Sequence, residues 1–257
     1  MNNEIIGNVE YDNASIVFKG NNNKFICKGN LKLENCKIRF TGNNSLIYID
    51  QNDYPISLNM RVGNDSVIYL GKDCYINRTS NIYATERKNV IIGNQILLSF
   101  DSYFRTADPH VIYDCNTKER INFSKSILVG DKVWIGQQSL ILKGTIIGSG
   151  AIIGGRSVVS NKMVKSNSLY AGNPAKKIKE NVFYARPNST HDLDETEEIN
   201  TKIYDGKDEY VYEKDESTIS LKDIDETLRS LNDINEKISY IETMLVNNNA
   251  KNRFYQD

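Results

Sequence analysis

Residues 129–164 read VGDKVW IGQQSL ILKGTI IGSGAI IGGRSV VSNKMV, with an aliphatic residue at every sixth position: Val129, Ile135, Ile141, Ile147, Ile153 and Val159. A helix repeats at about 3.6 residues and a strand at about 2, so neither explains a period of six. A short fixed period marks a solenoid, whose units bury their apolar residue only by stacking on their neighbours. Three flat faces of six residues make a triangular prism with the aliphatics on its axis, and one full coil then takes eighteen residues. Stacked coils pair as parallel β-structure, and the opposite faces of a closed coil cover the interior without flanking helices. Gly130, Gly136, Gly148 and Gly154 follow four of the aliphatics, in keeping with small residues at tight corners.

Working outward, Ile92, Leu98 and Phe104 supply one more clean set of three faces. Val62 to Ile68 and Ile76 to Ile82 keep the six-residue spacing in two phases, which places a register shift or small insertion between them. Residues 1–60 are ragged, with alternating segments such as LKLENCKIRF broken by GNNN at Gly20, GN at Gly29 and GNN at Gly42, and read as degenerate coils. Between Phe104 and Phe123 the apolar spacing lapses into RTADPHVIYDCNTKERIN, a polar, turn-forming stretch expected to leave the prism as a loop over about 105–122. That loop carries His110, one of two histidines, flanked by Asp108 and Asp114. Trp134, the single tryptophan, stands directly before a core aliphatic.

The expected organisation is an all-β solenoid over residues 1–187, a polar linker or short β-hairpin over 188–218, and an amphipathic or coiled-coil-like helix over 219–247. The helix rests on the three-four spacing of Leu221, Ile224, Leu228, Leu231, Asn235, Ile238 and Leu245, a stripe suited to packing or oligomer contact. His191, in the linker, is expected to face solvent.

A net charge of -1 with 25% charged residues gives no case for a nucleic-acid partner. No apolar run approaches membrane-spanning length and MNNEIIGNVEYDN lacks the features of a secretory signal, so the cytoplasm is the default expectation. Cys27, Cys36, Cys74 and Cys115 are scattered, without the paired spacing of a zinc site or a disulfide framework, and are expected to be reduced and structural. No metal site is expected.

VGDKVWIG and the later AGNPAKKIK make the chain resemble the hexapeptide-repeat acyltransferases, the match running from Ile92 to Lys179. Periodicity alone does not give the hand of the coil, and the general rule favours right-handed crossovers. The resemblance implies a left-handed parallel β-helix, here with a C-terminal α-helical extension. It also implies acetyl-CoA as co-substrate and a homotrimer with active sites between subunits. The TADPH…YD stretch before VGDKVWIG is most similar to sugar O-acetyltransferases acting on sialic-acid capsules. By that resemblance His110 is the general base and Trp134 lines the acceptor pocket, while coenzyme A meets Gln137, Gly155, Ser160, Lys176 and Lys179. The chain departs from the family pattern after Ser160, where Asn161 replaces a basic residue and the usual proline is missing.

The chemistry suits these residues. A hydroxyl attacks a thioester quickly only when a base takes its proton, and imidazole titrates in the right range. The expected function is acetyl-CoA-dependent O-acetylation of a carbohydrate, with a capsular polysaccharide or other bacterial surface glycan as the expected acceptor. Alternatives are a nucleotide-amino-sugar N-acetyltransferase, a serine acetyltransferase, or a non-catalytic β-helix scaffold. A zinc carbonic anhydrase on the same fold needs three histidines, and this chain has two.

Overall fold

Successive coils lay short strands into three sheets in the computed structural model, which describes residues 2–185, 190 and 193–257. Sheet 1 stacks Glu4–Asp12, Lys24–Glu34, Leu46–Ile49, Val67–Leu70, Val90–Ile92, Ile127–Val129, Ile146–Ile147 and Met163–Val164. Sheet 2 runs Tyr75–Ile76, Leu97–Leu98, Trp134–Ile135, Ile152–Ile153 and Ser168–Gly172, and closes with Ala175–Glu180. Sheet 3 runs Ser15–Phe18, Lys37–Phe40, Leu58–Val62, Ser80–Ala84, Tyr103–Arg105, Leu140–Leu142 and Val158–Val159. All pairings are parallel except the last in sheet 2, where Ala175–Glu180 turns back antiparallel on Ser168–Gly172.

The six repeat aliphatics all point to the axis, each no more than 1% exposed, and belong to one continuous core. Equivalent positions in the regular coils lie 18 residues apart, as Asp131 and Ser149 do. In the N-terminal coils the step is 22 or 21, and asparagines mark it: Asn13 donates to Asn35 at 2.8 Å and Asn22 to Asn44 at 3.0 Å, each 22 residues away, and Asn44 to Asp65 at 2.9 Å, 21 away. The extra residues widen the coils, so the expected degenerate coils are regular ones of longer period. Asn89 and Ser126 are joined across 37 residues, one coil plus the inserted loop.

Corner glycines play a different part from the one expected. The residues with positive φ recur at Lys132, Gln138, Gly144, Gly150 and Arg156, and only two of these are glycine. Gly130 and Gly136, with no positive φ, are there for closeness: a Cβ on Gly136 would stand 2.5 Å from the Gly155 nitrogen, and one on Gly130 2.7 Å from that of Ser149.

The outer side of sheet 1 is buried as well, which is why its strands read LIYI, VIYL, VII and ILV with no polar alternation. The C-terminal region covers it. Helix α1 (Glu195–Asn200) buries no residue, whereas α2 (Leu221–Ser230) and α3 (Ile234–Ile241) lay Leu221, Ile224, Leu228, Ile234 and Ile241 onto Leu46, Tyr48, Val67 and Tyr69. This corrects the single helix expected over 219–247. Ser220 caps α2 through the Asp223 N–H, and Asp233 caps α3 through those of Asn235 and Glu236, so the chain bends between them. The apolar stripe is consumed within the chain and is not available to a coiled coil. Asn235 accepts a hydrogen bond from Lys24 Nζ at 3.0 Å in place of a register contact.

No hairpin forms in YDGKDEYVY; Asp208–Tyr210 is a 3-10 turn, and Tyr210 and Tyr212 are buried. The 187/188 boundary and His191 lie outside the described residues. Cys27, Cys36 and Cys74 are buried and free, while Cys115 is exposed on the loop and has no packing role. Among the described residues no helix is long and apolar enough to cross a membrane.

Candidate active site

The loop between Arg105 and Ile127 is built as a small hairpin pinned to the coils on either side. Tyr113 and Arg120 form its antiparallel bridge, Ile121 N–H donates to the Ile112 carbonyl at 3.0 Å and Asp114 N–H to that of Glu119 at 2.9 Å. Arg120 Nη2 reaches both carboxylate oxygens of Glu86, in the preceding coil, at 2.8 Å. That bond holds the Glu86 carboxyl below the usual range. On the other side Lys143, in the following coil, donates to Asp108 Oδ2 at 2.6 Å.

Asn122 is the clasp. Its Nδ2 donates to Asp108 Oδ2 at 2.9 Å and to the His110 carbonyl at 2.8 Å, and its Oδ1 accepts from the Ile112 N–H at 2.8 Å. Hydrogen bonding from Lys143, then from Asn122, keeps the Asp108 carboxyl below its ordinary value. Asp114 is likewise engaged: one oxygen accepts the Asn116 and Thr117 N–H groups at 2.8 Å each, which lowers its pKa. Both acids flanking His110 therefore serve the loop's shape. His110 itself is exposed.

Trp134 lies on the outer side of sheet 2, between Leu97 and Ile152 in register. It is 37% exposed, donates weakly from Nε1 to Ser99 Oγ at 3.5 Å, and has the Tyr184 ring at 5.8 Å. His110 leaves the prism after a strand of sheet 3, so within one chain the two residues belong to different faces.

The residues expected to meet the cofactor divide in the same way. Gln137 and Gly155 are stacked neighbours at the corner of sheets 2 and 3: Arg156 N–H donates to the Gln137 carbonyl at 2.8 Å, and a Cβ on Gly155 would meet Gln137 Cγ at 3.4 Å. Ser160 is exposed at the other edge of sheet 3, just past Val158–Val159. Lys176 and Lys179 are exposed on the returning strand, opposite Ala171 and Leu169. Lys162 Nζ donates to the Ala175 carbonyl at 2.6 Å and so ties the last coil to that strand. Asn122, Lys143, Arg120 and Glu86 were not singled out in the sequence, because polar residues in a loop carry no periodic signal. Among the described residues no group of three or more His, Cys, Asp or Glu side chains is arranged to hold a metal ion.

The chain is similar to several known proteins. Residues 126–161 match the family described as bacterial transferase hexapeptide (six repeats). A polysialic acid O-acetyltransferase of Escherichia coli O1:K1 / APEC is 39% identical over 136 residues, 51% of this chain and 44% of that protein. A polysialic acid O-acetyltransferase of Neisseria meningitidis is 37% identical over 161 residues, 54% of this chain and 75% of that protein. Among solved structures, the polySia-specific acetyltransferase NeuO superposes with a TM-score of 0.63 at 29% identity, covering 78% of this chain and 95% of that one. The polysialic acid O-acetyltransferase OatWY gives 0.50 at 25%, covering 77% and 99%. The chain belongs to the hexapeptide-repeat acyltransferases and shares their left-handed parallel β-helix. Within that family, the relatives it matches over these spans are O-acetyltransferases of polysialic acid. The match spans less than half the length of the E. coli relative.

Proposed function

We propose that this protein transfers an acetyl group from acetyl-CoA to a hydroxyl of a sialic-acid polymer, with His110 as general base. The observation that carries the reading is the one long interruption of the stack, which projects His110 from a loop tied to the coils above and below it. One ring nitrogen takes the hydroxyl proton as the oxygen attacks the thioester carbonyl carbon. The tetrahedral oxyanion is stabilised by corner N–H groups, and collapse expels the coenzyme A thiolate, which recovers the proton from the imidazolium. Trp134 offers a flat face to a sugar ring and an indole N–H.

The site is assembled between copies of a homotrimer. The loop exposes Val111, Ile112, Tyr113, Ile121 and Phe123 by 47–62%, a concentration of apolar surface that supports its packing on a neighbouring prism. Such packing would also unite His110 with a Trp134 from another face, and Gln137 and Gly155 with Ser160. Lys176 and Lys179 serve the cofactor's phosphates as mobile point charges.

Purified protein given acetyl-CoA and polysialic acid should release coenzyme A, and His110→Ala should cut turnover by about a hundredfold to ten-thousandfold with acetyl-CoA binding and oligomeric mass unchanged. Near-normal turnover in that variant overturns the role of His110.

A further inference from the structure

Sheet 3 carries its outward side chains in two rows. Inward residues Ile38, Met60, Ile82 and Phe104 are buried to 1% or less, so the residues beside them in each strand face out. In register, Arg39 lies against Arg61, Arg61 against Tyr83 and Tyr83 against Arg105, with Leu142 next and Lys143 directly after it. Lys37 begins the second row, its N–H bonded to Asn59 Oδ1 at 2.9 Å, and Asn81 and Tyr103 continue it.

Four cations thus share one outer face, in a chain whose acids and bases nearly cancel at 33 and 32. Among the described residues no carboxylate forms an ion pair with Lys37, Arg39, Arg61 or Arg105; the nearby pairs use Arg87, Arg120 and Lys143 instead. Arg61 is held with its guanidinium 5.6 Å over the Tyr83 ring. Lys37, Arg39, Asn59, Met60, Arg61 and Tyr83 line a depression of about 160 Å3 that contains no acid.

A larger cleft of about 290 Å3, near Lys72, Lys132 and Lys251, makes the contrast. There Lys72 is bonded to Asn249 at 2.9 Å, Lys251 to the Asp208 carbonyl at 2.7 Å, and Lys132 sits over the Tyr210 ring at 3.4 Å. Glu209 and Asp131 also line it. The cations of this cleft are tied to groups of the fold and share it with acids, whereas the depression on sheet 3 is lined by no acid and only Arg61 there is stacked, over Tyr83.

We propose that the outer face of sheet 3 is a track for a polyanionic sugar chain, which Lys37, Arg39, Arg61 and Arg105 hold along the prism axis so that it is fed to the His110 loop. This rests on the proposed O-acetylation of a sialic-acid polymer. Arg105 ends the strand from which the loop departs, so the track leads directly into it. Neighbouring strands are about 4.8 Å apart, so Arg39 and Arg105 are separated by about 14 Å. Only an acceptor bearing repeated negative charges engages the whole row; a single sugar acid reaches one or two members.

The test uses Arg39→Gln with Arg61→Gln, and Lys202→Gln with Lys222→Gln as a charge-matched control on exposed lysines elsewhere. Binding of polysialic acid of graded chain length is measured without acetyl-CoA, and acetyl transfer is measured separately. In the parent and the control, affinity should rise with chain length and fall with salt. In the arginine variant it should be about tenfold weaker for long chains, with little length or salt dependence left, while KM for acetyl-CoA stays the same. An arginine variant that binds long chains as the control does overturns the track. So does parent protein that binds a single-stranded oligonucleotide more tightly than polysialic acid. Polymer binding that is lost in the arginine variant, in a protein that transfers acetyl to no sialic-acid acceptor, upholds the track and refutes the proposed reaction instead.

Discussion

Asn122→Ala undoes the clasp of the projecting loop while leaving His110 in the chain. The side chain makes two hydrogen bonds with backbone groups, at 2.8 Å to the His110 carbonyl and 2.8 Å from the Ile112 N–H, and one with the Asp108 carboxylate at 2.9 Å. Bonds of the first kind are worth about 1 kcal/mol each and one to a charged group about 1.5 kcal/mol or more. Asn122 is 7% exposed, so water replaces these bonds poorly. Asp108, however, is 40% exposed and keeps its bond to Lys143, which reduces the loss to about 2 kcal/mol of loop order. When loop order sets the competent fraction of the site, that amounts to about a thirtyfold fall in kcat/KM for the acceptor. Asn122 lies outside the prism core, so the melting temperature should shift by no more than about 2 °C and KM for acetyl-CoA should not move. Hydrogen exchange over residues 106–126 should accelerate. Parent-like rates in a variant whose loop exchanges freely would refute the reasoning, because the chemistry would then not depend on the loop that carries His110.

The returning strand gives a kinetic prediction: Lys176→Ala with Lys179→Ala should raise KM for acetyl-CoA far more than it lowers kcat, since remote phosphate contacts bind ground and transition states alike. Initial-rate kinetics with an unchanged KM would place the cofactor's nucleotide end elsewhere. Leu228→Ala, which opens a hole at a residue 1% exposed between α2 and sheet 1, should cost about 2–5 kcal/mol and lower the melting temperature by roughly 5–15 °C in calorimetry. A parent-like melting curve would mean that the tail does not pack there. The Asp108 carboxyl is held below its ordinary range by Lys143 and Asn122. Its contribution is therefore complete above the unfolded value of about 3.9 and is lost only as pH falls through the lower folded value. Loop exchange corrected for intrinsic rates should thus be flat from about pH 8 to 5, and loosening within that window would contradict the Lys143 pairing.

The regular coils were legible because each face spans six residues and buries one aliphatic, and the structure puts Val129 through Val159 on the axis as the period requires. The lapse in period located the loop for the same reason. The N-terminal coils were hidden because their step of 22 or 21 residues is not a multiple of six, and its markers are polar: Asn13 with Asn35, Asn22 with Asn44. A search for recurring asparagines would have found them. Two unused signals existed for the tail. Ser220 and Asp233 are both N-cap residues, and the second falls inside what read as one helix. The unalternating strands of sheet 1 announced a cover on their outer side, and α2 and α3 provide it. Nothing local announces the pairing of Arg253 with Asp131, 2.7 and 2.8 Å apart and 122 residues distant in sequence. Of the candidate site, the loop position of His110, the place of Trp134 before a core aliphatic and the one-coil spacing of Gln137 and Gly155 were visible in the sequence, while the roles given to them come from the family resemblance and are proposals. The clasp of Asn122 and Lys143 depends on which coils the loop touches, and that is set only by the folded register.

A three-sided rod has three sides to offer, and this one walls off one of them with its own C-terminal helices. For contacts between copies that leaves at most two, and the proposed polymer track lies along part of one of them, sheet 3. Units joined through two lateral sides close into a ring or run on as a file; they do not branch or tile a plane. In the proposed homotrimer the tail, which takes no part in the proposed chemistry, would therefore bar lateral contacts through sheet 1. Stripping it away would expose a broad strip of Leu46, Tyr48, Val67 and Tyr69, and with it a third direction in which copies of the rod would adhere.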